Sequence, residues 1–189
     1  LDVGLDAGAF GKGAALDAAA RALRSAGAQS ASLDFGGQLL YVGDVGSQTL
    51  DIADPRDRAR PAARLRVDAG SVATTCNSER ARVVDGRRLG HVIDPRTGRP
   101  SSSLGSVTVW AESAFDADCL STACFVLGPD EAIALAERTD GVEVLALSLD
   151  PLGHLVMSTS RGLKDHVSLL IDEPGKPRRA VADQNTQPK

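Results

Sequence analysis

Aromatic side chains make up only 3% of the 189-residue chain: four Phe, one Tyr and one Trp. A core with so few rings has to be built from Ala, Val and Leu, and a platform for stacking nucleic-acid bases has too little to stand on. Excess positive charge is also missing. The 21 Lys and Arg residues face 25 Asp and Glu, for a net charge of −4. Nucleic-acid binders usually carry a basic excess, so no nucleic-acid partner is expected. The three cysteines, Cys76, Cys119 and Cys124, form no C-x-x-C and are odd in number, which argues against a zinc site and a disulfide framework. Cys119 and Cys124 read as small buried helix residues. No apolar run approaches transmembrane length and no signal peptide is visible. The chain opens on Leu1 rather than Met, consistent with removal of an upstream segment, so the compartment is not readable from this end.

What is present fits one domain. Hydrophobic residues at 42% and charged residues at 24% lie in the soluble globular range, and the length supports a real core. The domain is expected over residues 1–170, with a polar, Pro-bearing, disordered tail over 171–189. "KGAALDAAARALRSAG" predicts a helix with Leu16, Ala20 and Leu23 on one face, an Asp17–Arg21 pair at i,i+4, and Gly27 as its stop. "SASLDFGG" and "QLLYVGDV" read as strands around a Gly-Gly turn. Residues 54–61, charged and with two prolines, read as a surface loop. "ARLRVDAG", "SVATTCNS" and "SVTVWA" read as strands, and "RARVVDGRRLGHVID" as a hairpin about Asp85-Gly86. Ser113 and Asp116 predict a helix start. Pro129 begins a second helix that Gly141 ends, and a hairpin about residues 150–153 closes the domain. Helices and strands do not alternate regularly, so the fold class is α+β.

Three stretches could carry chemistry. In "LDAGAFGKGAALD", residues 5–17, three glycines and Lys12 open a helix. That is either an anion site or a tight turn without a ligand, since neither Walker A nor G-x-G-x-x-G spacing is present. In "DADCLSTACFVLG", residues 116–128, Asp118, Ser121 and Thr122 share one helix face. They form an all-oxygen set suited to Mg²⁺, or the hydroxyls back-bond to their own helix while Asp118 faces solvent. In "HVIDPRTGRP", residues 91–100, His91 sits at a strand end before Asp94-Pro95, where the chain has to leave the sheet. It is either structural or a base that titrates near neutrality.

Taken together and in order, these stretches resemble the ApbE family of FAD:protein FMN transferases, from about Leu5 to about Leu163. "DAGAFGKGAALD" is similar to the family's Asp-Leu-Gly-x-x-x-Lys-Gly segment. "LDFGGQLLYVG", "VATT", "HVIDPRTGRP", "SVTVWAESAFDADCLSTACFVLG" and "ALAE" follow in the family's order. The resemblance implies a T-fold-like ApbE fold with a mixed or antiparallel sheet and packed helices. It implies FAD as substrate, Mg²⁺ as cofactor, and transfer of FMN to a Thr or Ser hydroxyl of an acceptor protein with release of AMP. By position it implies that Asp6, Lys12 and Ile93 contact the flavin nucleotide. It implies that the Ala9 carbonyl, Asp118, Ser121 and Thr122 hold the metal, and that His91 is catalytic. Two other activities remain open, an FAD pyrophosphatase giving FMN and AMP, and an inactive flavin-binding protein. By the same resemblance the protein works outside the cytoplasm, as in the periplasm, or is held at a membrane by an N-terminal lipid anchor, with a cytoplasmic place left open. The chain departs from the family at Cys76-Asn77-Ser78, where many members have Gly-Asp-Tyr, and at Gly90, where Ser is common. The family's N-terminal segment, which supplies part of the FAD pocket, is not in this sequence.

Overall fold

The computed structural model describes residues 4–77, 82–84, 87–101 and 105–171. α1 (Gly11–Ser25) buries Leu16 and Ala20 and leaves Leu23 half-buried. β1 (Ala31–Phe35) and β2 (Gln38–Val42) pair antiparallel, with Phe35 opposite Gln38. Their turn is Gly36-Gly37, at φ 62° and 83°. Two successive positive φ values match the twist of a hairpin and require glycine-like freedom.

β3 (Gln48–Asp54) and β4 (Asp57–Val67) form a hairpin, which corrects the loop expected over residues 54–61. Charge and proline misdirect the reading because the first half of β4 is exposed on every residue from 57 to 61. Solvent, and not a core face, selects those side chains. Pro61 lies opposite Ala53, where the register shifts, a place where a missing N–H is tolerated. Asp54 closes the turn by accepting from the Arg56 N–H at 2.8 Å and from its guanidinium.

β5 (Gly70–Cys76) is followed by β6 (Arg82–Val84) and β7 (Arg87–Leu89), which pair as expected. The Asp85-Gly86 turn itself lies outside the described residues. β8 (Ile93–Asp94) and β9 (Arg99–Pro100) pair across a tight turn. β10 (Gly105–Ala111) leads into α2 (Ala114–Leu127) and α3 (Pro129–Ala136). α3 stops five residues before Gly141, which at φ 72° turns the chain into β11 (Val142–Leu149). β12 (Leu155–Thr159), a single 3₁₀ turn at Arg161–Leu163, and β13 (Val167–Leu169) follow. Beyond residue 170 only Ile171 is described, half-buried against the core.

The main sheet has the order β1-β2-β5-β10-β11-β12, and a smaller sheet the order β13-β4-β3. Successive residues of the central strands point to opposite faces. Ala73, Val107, Val109, Val144 and Ala146 pack with Ala117, Cys124 and Phe125 of α2 on one face. Val72, Leu145 and Leu147 pack with Ile52, Ala63 and Leu65 of the small sheet on the other. The three layers bury small and branched side chains, as the low aromatic content requires. Among the described residues no helix is long and apolar enough to cross a membrane.

One local expectation fails. Asp17 makes no ion pair with Arg21 among the described residues. Its carboxylate instead accepts from the N–H groups of Ala114 and Phe115, each at 3.0 Å, and from Ser113 Oγ at 3.2 Å. Ser113 Oγ in turn accepts from the Asp116 N–H, as the sequence predicts. The unsatisfied N–H groups at a helix start hold a carboxylate better than an exposed ion pair on one helix does.

Candidate functional site

The seam between α1 and α2 is held by Gly13. A Cβ there would stand 2.1 Å from the Ala114 carbonyl oxygen, so only glycine permits this approach. The approach brings Asp118, on the second turn of α2, against the first turn of α1. Asp118 is 2% exposed. Its Oδ2 accepts from the Gly13 N–H at 3.0 Å and its Oδ1 from Lys12 Nζ at 2.6 Å. The reading in which Asp118 faces solvent is thereby corrected: α2 is apolar nearly all round, and periodicity alone cannot tell which of its faces meets α1.

The hydroxyls keep both sequence readings. Ser121 Oγ donates to its own helix, to the Asp118 carbonyl, at 2.9 Å, as back-bonding predicts. It also stands 2.8 Å from Thr75 Oγ1 of β5, which lies 3.3 Å from Thr122 Oγ1. Thr75 is a member of the cluster that sequence reasoning missed. A threonine in a strand carries no spacing signal toward a helix over forty residues downstream, and only the position of "VATT" in the family order pointed near it.

These oxygens fit a small hard cation. One carboxylate and two hydroxyls share a face of α2, and a strand hydroxyl meets both of those hydroxyls. No group of three or more His, Cys, Asp or Glu that could hold a metal occurs among the described residues. Such a set leaves much of the coordination shell to phosphate oxygens and water, which is the usual state of Mg²⁺. Ala9, half-buried just before α1, fits as well. The Gly13 N–H, which would otherwise bond the carbonyl four residues back, is diverted to Asp118. Among the described residues no backbone N–H then donates to the Ala9 oxygen. The Lys12 side chain is 40% exposed while its ammonium pairs with the buried Asp118 carboxylate. The neighbouring thiols are inert: burial first, then the charges of Asp118 and Asp116, push Cys119 up, and burial alone pushes Cys124 up to about 11.

The other predicted residues stand outside this hydrogen-bonded group. Asp6 is exposed, and its Oδ1 accepts from the Gly8 N–H at 2.7 Å, which folds the glycine loop before α1. His91 is exposed, between β7 and β8, while Val92 beside it is 7% exposed and packed in the same cluster as Ala117 of α2. Ile93 is 50% exposed. No hydrogen bond joins His91 or Ile93 to the Asp118 group among the described residues. Asp94 fixes the turn that follows. Its carbonyl accepts from the Gly98 N–H at 2.8 Å, and its carboxylate binds the Arg96 N–H and guanidinium, which hold its pKa below the ordinary carboxylate value.

Residues 1–146 match the model of the ApbE family. The chain belongs to the ApbE family. It is 37% identical over 179 residues to the FAD:protein FMN transferase of Treponema pallidum, covering 88% of this chain and 48% of that protein. It is 33% identical over 152 residues to the one of Escherichia coli, covering 78% and 43%. Among solved structures, the ApbE protein of Thermotoga maritima superposes with a TM-score of 0.75 at 32% identity, covering 86% of this chain and 53% of that one. The apo flavinyl transferase ApbE of Pseudomonas stutzeri gives 0.69 at 28%, covering 86% and 51%. The α+β ApbE fold expected from the motifs is therefore the fold of this chain, which spans about half the length of the ApbE relatives it matches.

Proposed function

We propose that this chain transfers FMN from FAD to a Thr or Ser hydroxyl of an acceptor protein, with AMP as the leaving group. The observation that carries the proposal is the buried Asp118 carboxylate, bonded to Lys12 and the Gly13 N–H, on the helix whose Ser121 and Thr122 hydroxyls meet Thr75. It unites a helix start, a part-exposed ammonium and hard oxygen groups, which is what a pyrophosphate demands. Asp118, Ser121, Thr122 and the Ala9 carbonyl would hold Mg²⁺. Bound there, the ion neutralises pyrophosphate charge.

The protein's own groups do the rest. Lys12 binds phosphate oxygens. Asp6, through the loop it folds, and Ile93 border the nucleotide. The acceptor oxygen attacks the phosphorus of the FMN half, the P–O bond to AMP breaks, and His91 takes the hydroxyl proton. An imidazole suits this role because its ordinary pKa lies near working pH. The Asp94-Pro95 turn fixes the segment from which His91 projects. Work outside the cytoplasm or at a membrane surface belongs to the same proposal.

The test is incubation of the chain with FAD and Mg²⁺, with and without a threonine-bearing acceptor peptide. Transfer predicts AMP only with the peptide, and flavin fluorescence that stays with the peptide through denaturation. AMP at equal rates without peptide would make the protein a pyrophosphatase. FAD bound without any AMP would leave it a flavin binder.

A further inference from the structure

The end of β5 touches the His91 segment as well as the hydroxyl cluster. Thr75 faces Ser121 and Thr122, and two residues later Asn77 lies against Gly90. A Cβ on Gly90 would meet Asn77 Oδ1 at 2.2 Å, Cγ at 2.3 Å and Nδ2 at 2.4 Å. The amide therefore lies flat on a backbone that has room for hydrogen and nothing larger. Asn77 Nδ2 also donates to the Ser101 carbonyl at 3.2 Å, and the Ser101 N–H donates to the Val92 carbonyl at 2.8 Å. Gly90 and Val92 are the two neighbours of His91. One side chain thus packs against the residue before the imidazole and, through Ser101, ties down the residue after it. Val92 is in turn sunk in the core cluster that includes Ala117.

We propose that Asn77 is a positioning residue for His91, and that Asn77 and Gly90 act as one steric unit setting where the imidazole stands relative to Thr75 and α2. The proposal rests on the reading of His91 as the base. His91 is exposed and lacks a hydrogen bond of its own among the described residues, so its backbone has to be fixed by its neighbours. Asn77 couples them to the strand that also carries Thr75.

The test uses the whole chain and three variants: Gly90→Ala, which forces a methyl into the amide, Asn77→Gly, which removes the amide, and the double variant. Gly90→Ala is expected to lower kcat for AMP release with FAD, Mg²⁺ and acceptor peptide by about tenfold or more, with KM for FAD within about twofold. The double variant is expected to recover most of that loss, since the methyl then has space. The His91 imidazole resonance, followed by NMR, is expected to shift in Gly90→Ala and to broaden in Asn77→Gly, while the His166 resonance stays in place. Should Gly90→Ala fail to fold, Asn77→Gly carries the spectroscopic arm alone. A His91 resonance unmoved in the folded single variants, or a double variant no faster than Gly90→Ala, would overturn the proposal. A His91→Ala protein as active as the parent would remove the base reading instead, and the resonance would still report whether Asn77 sets the segment.

Discussion

The α1–α2 seam and the His91 segment are built in opposite ways. The seam is cross-bonded between distant parts of the sequence: Asp118 reaches Lys12 and Gly13, and Asp17 reaches Ser113, Ala114 and Phe115, while Thr75 of β5 reaches Ser121. The His91 segment is exposed and held by a short-range turn, by Val92 in the core, and by Asn77. The difference teaches that function and stability are joined at the seam and separable at the segment. On the proposed reading, the group that would bind phosphate is prebuilt, while the one that would meet an acceptor protein stands at the surface.

That contrast can be broken or sharpened by substitution. The largest effect is expected from Asp118→Ala. It removes the carboxylate proposed to hold the metal and leaves the Gly13 N–H without its partner, so AMP release should fall to background and stability by about 2 kcal/mol in urea unfolding. His91→Ala should lose about 100- to 10,000-fold in turnover, the range of a lost general base, with an unchanged melting temperature. A large drop in Tm would mean that the segment is not separable. Thr75→Val keeps shape but removes the hydroxyl that holds Ser121 and Thr122. Metal affinity measured by titration should weaken about 10- to 100-fold. Asp17→Ala should cost about 1–2 kcal/mol through loss of the α2 cap, read by urea unfolding, and leave turnover per folded molecule intact.

The smallest effect lies far from both regions. The Arg56 side chain, and after it the Arg56 N–H, holds the Asp54 pKa below its ordinary value. A depressed carboxylate contributes stability above its unfolded pKa, about 3.9, and loses it as pH falls through the lower folded value. Asp54→Asn should therefore lower stability slightly at neutral pH and flatten the acid limb of a stability–pH curve, so that variant and parent converge below about pH 4.

The same contrast governs what could be read from sequence. Strands such as β10 and β11 announce themselves by continuous apolar runs, and α2 by its Ser113 start. The residues of the seam could be named from motifs, but their geometry could not. Whether Asp118 faces water or α1 depends on Gly13, a residue whose meaning is steric and tertiary. Asp17 looks like half of a surface ion pair until α2 is placed above it. The β3–β4 hairpin was hidden because its exposed end is written in arginine and proline, the vocabulary of loops. Thr75 was hidden because a strand end carries no spacing that points to a helix, and Asn77 and Gly90 were visible only as departures from the family pattern, with nothing to show that they touch.

Paramagnetic Mn²⁺ titrated into the whole chain with FAD, while the histidine ring resonances are followed by NMR, tests most directly whether both regions act on one phosphate. The account predicts that one equivalent broadens the His91 signal beyond detection while His166, packed on Trp110 near the start of β5, stays sharp. A His91 signal as sharp as that of His166 with the ion bound would contradict it.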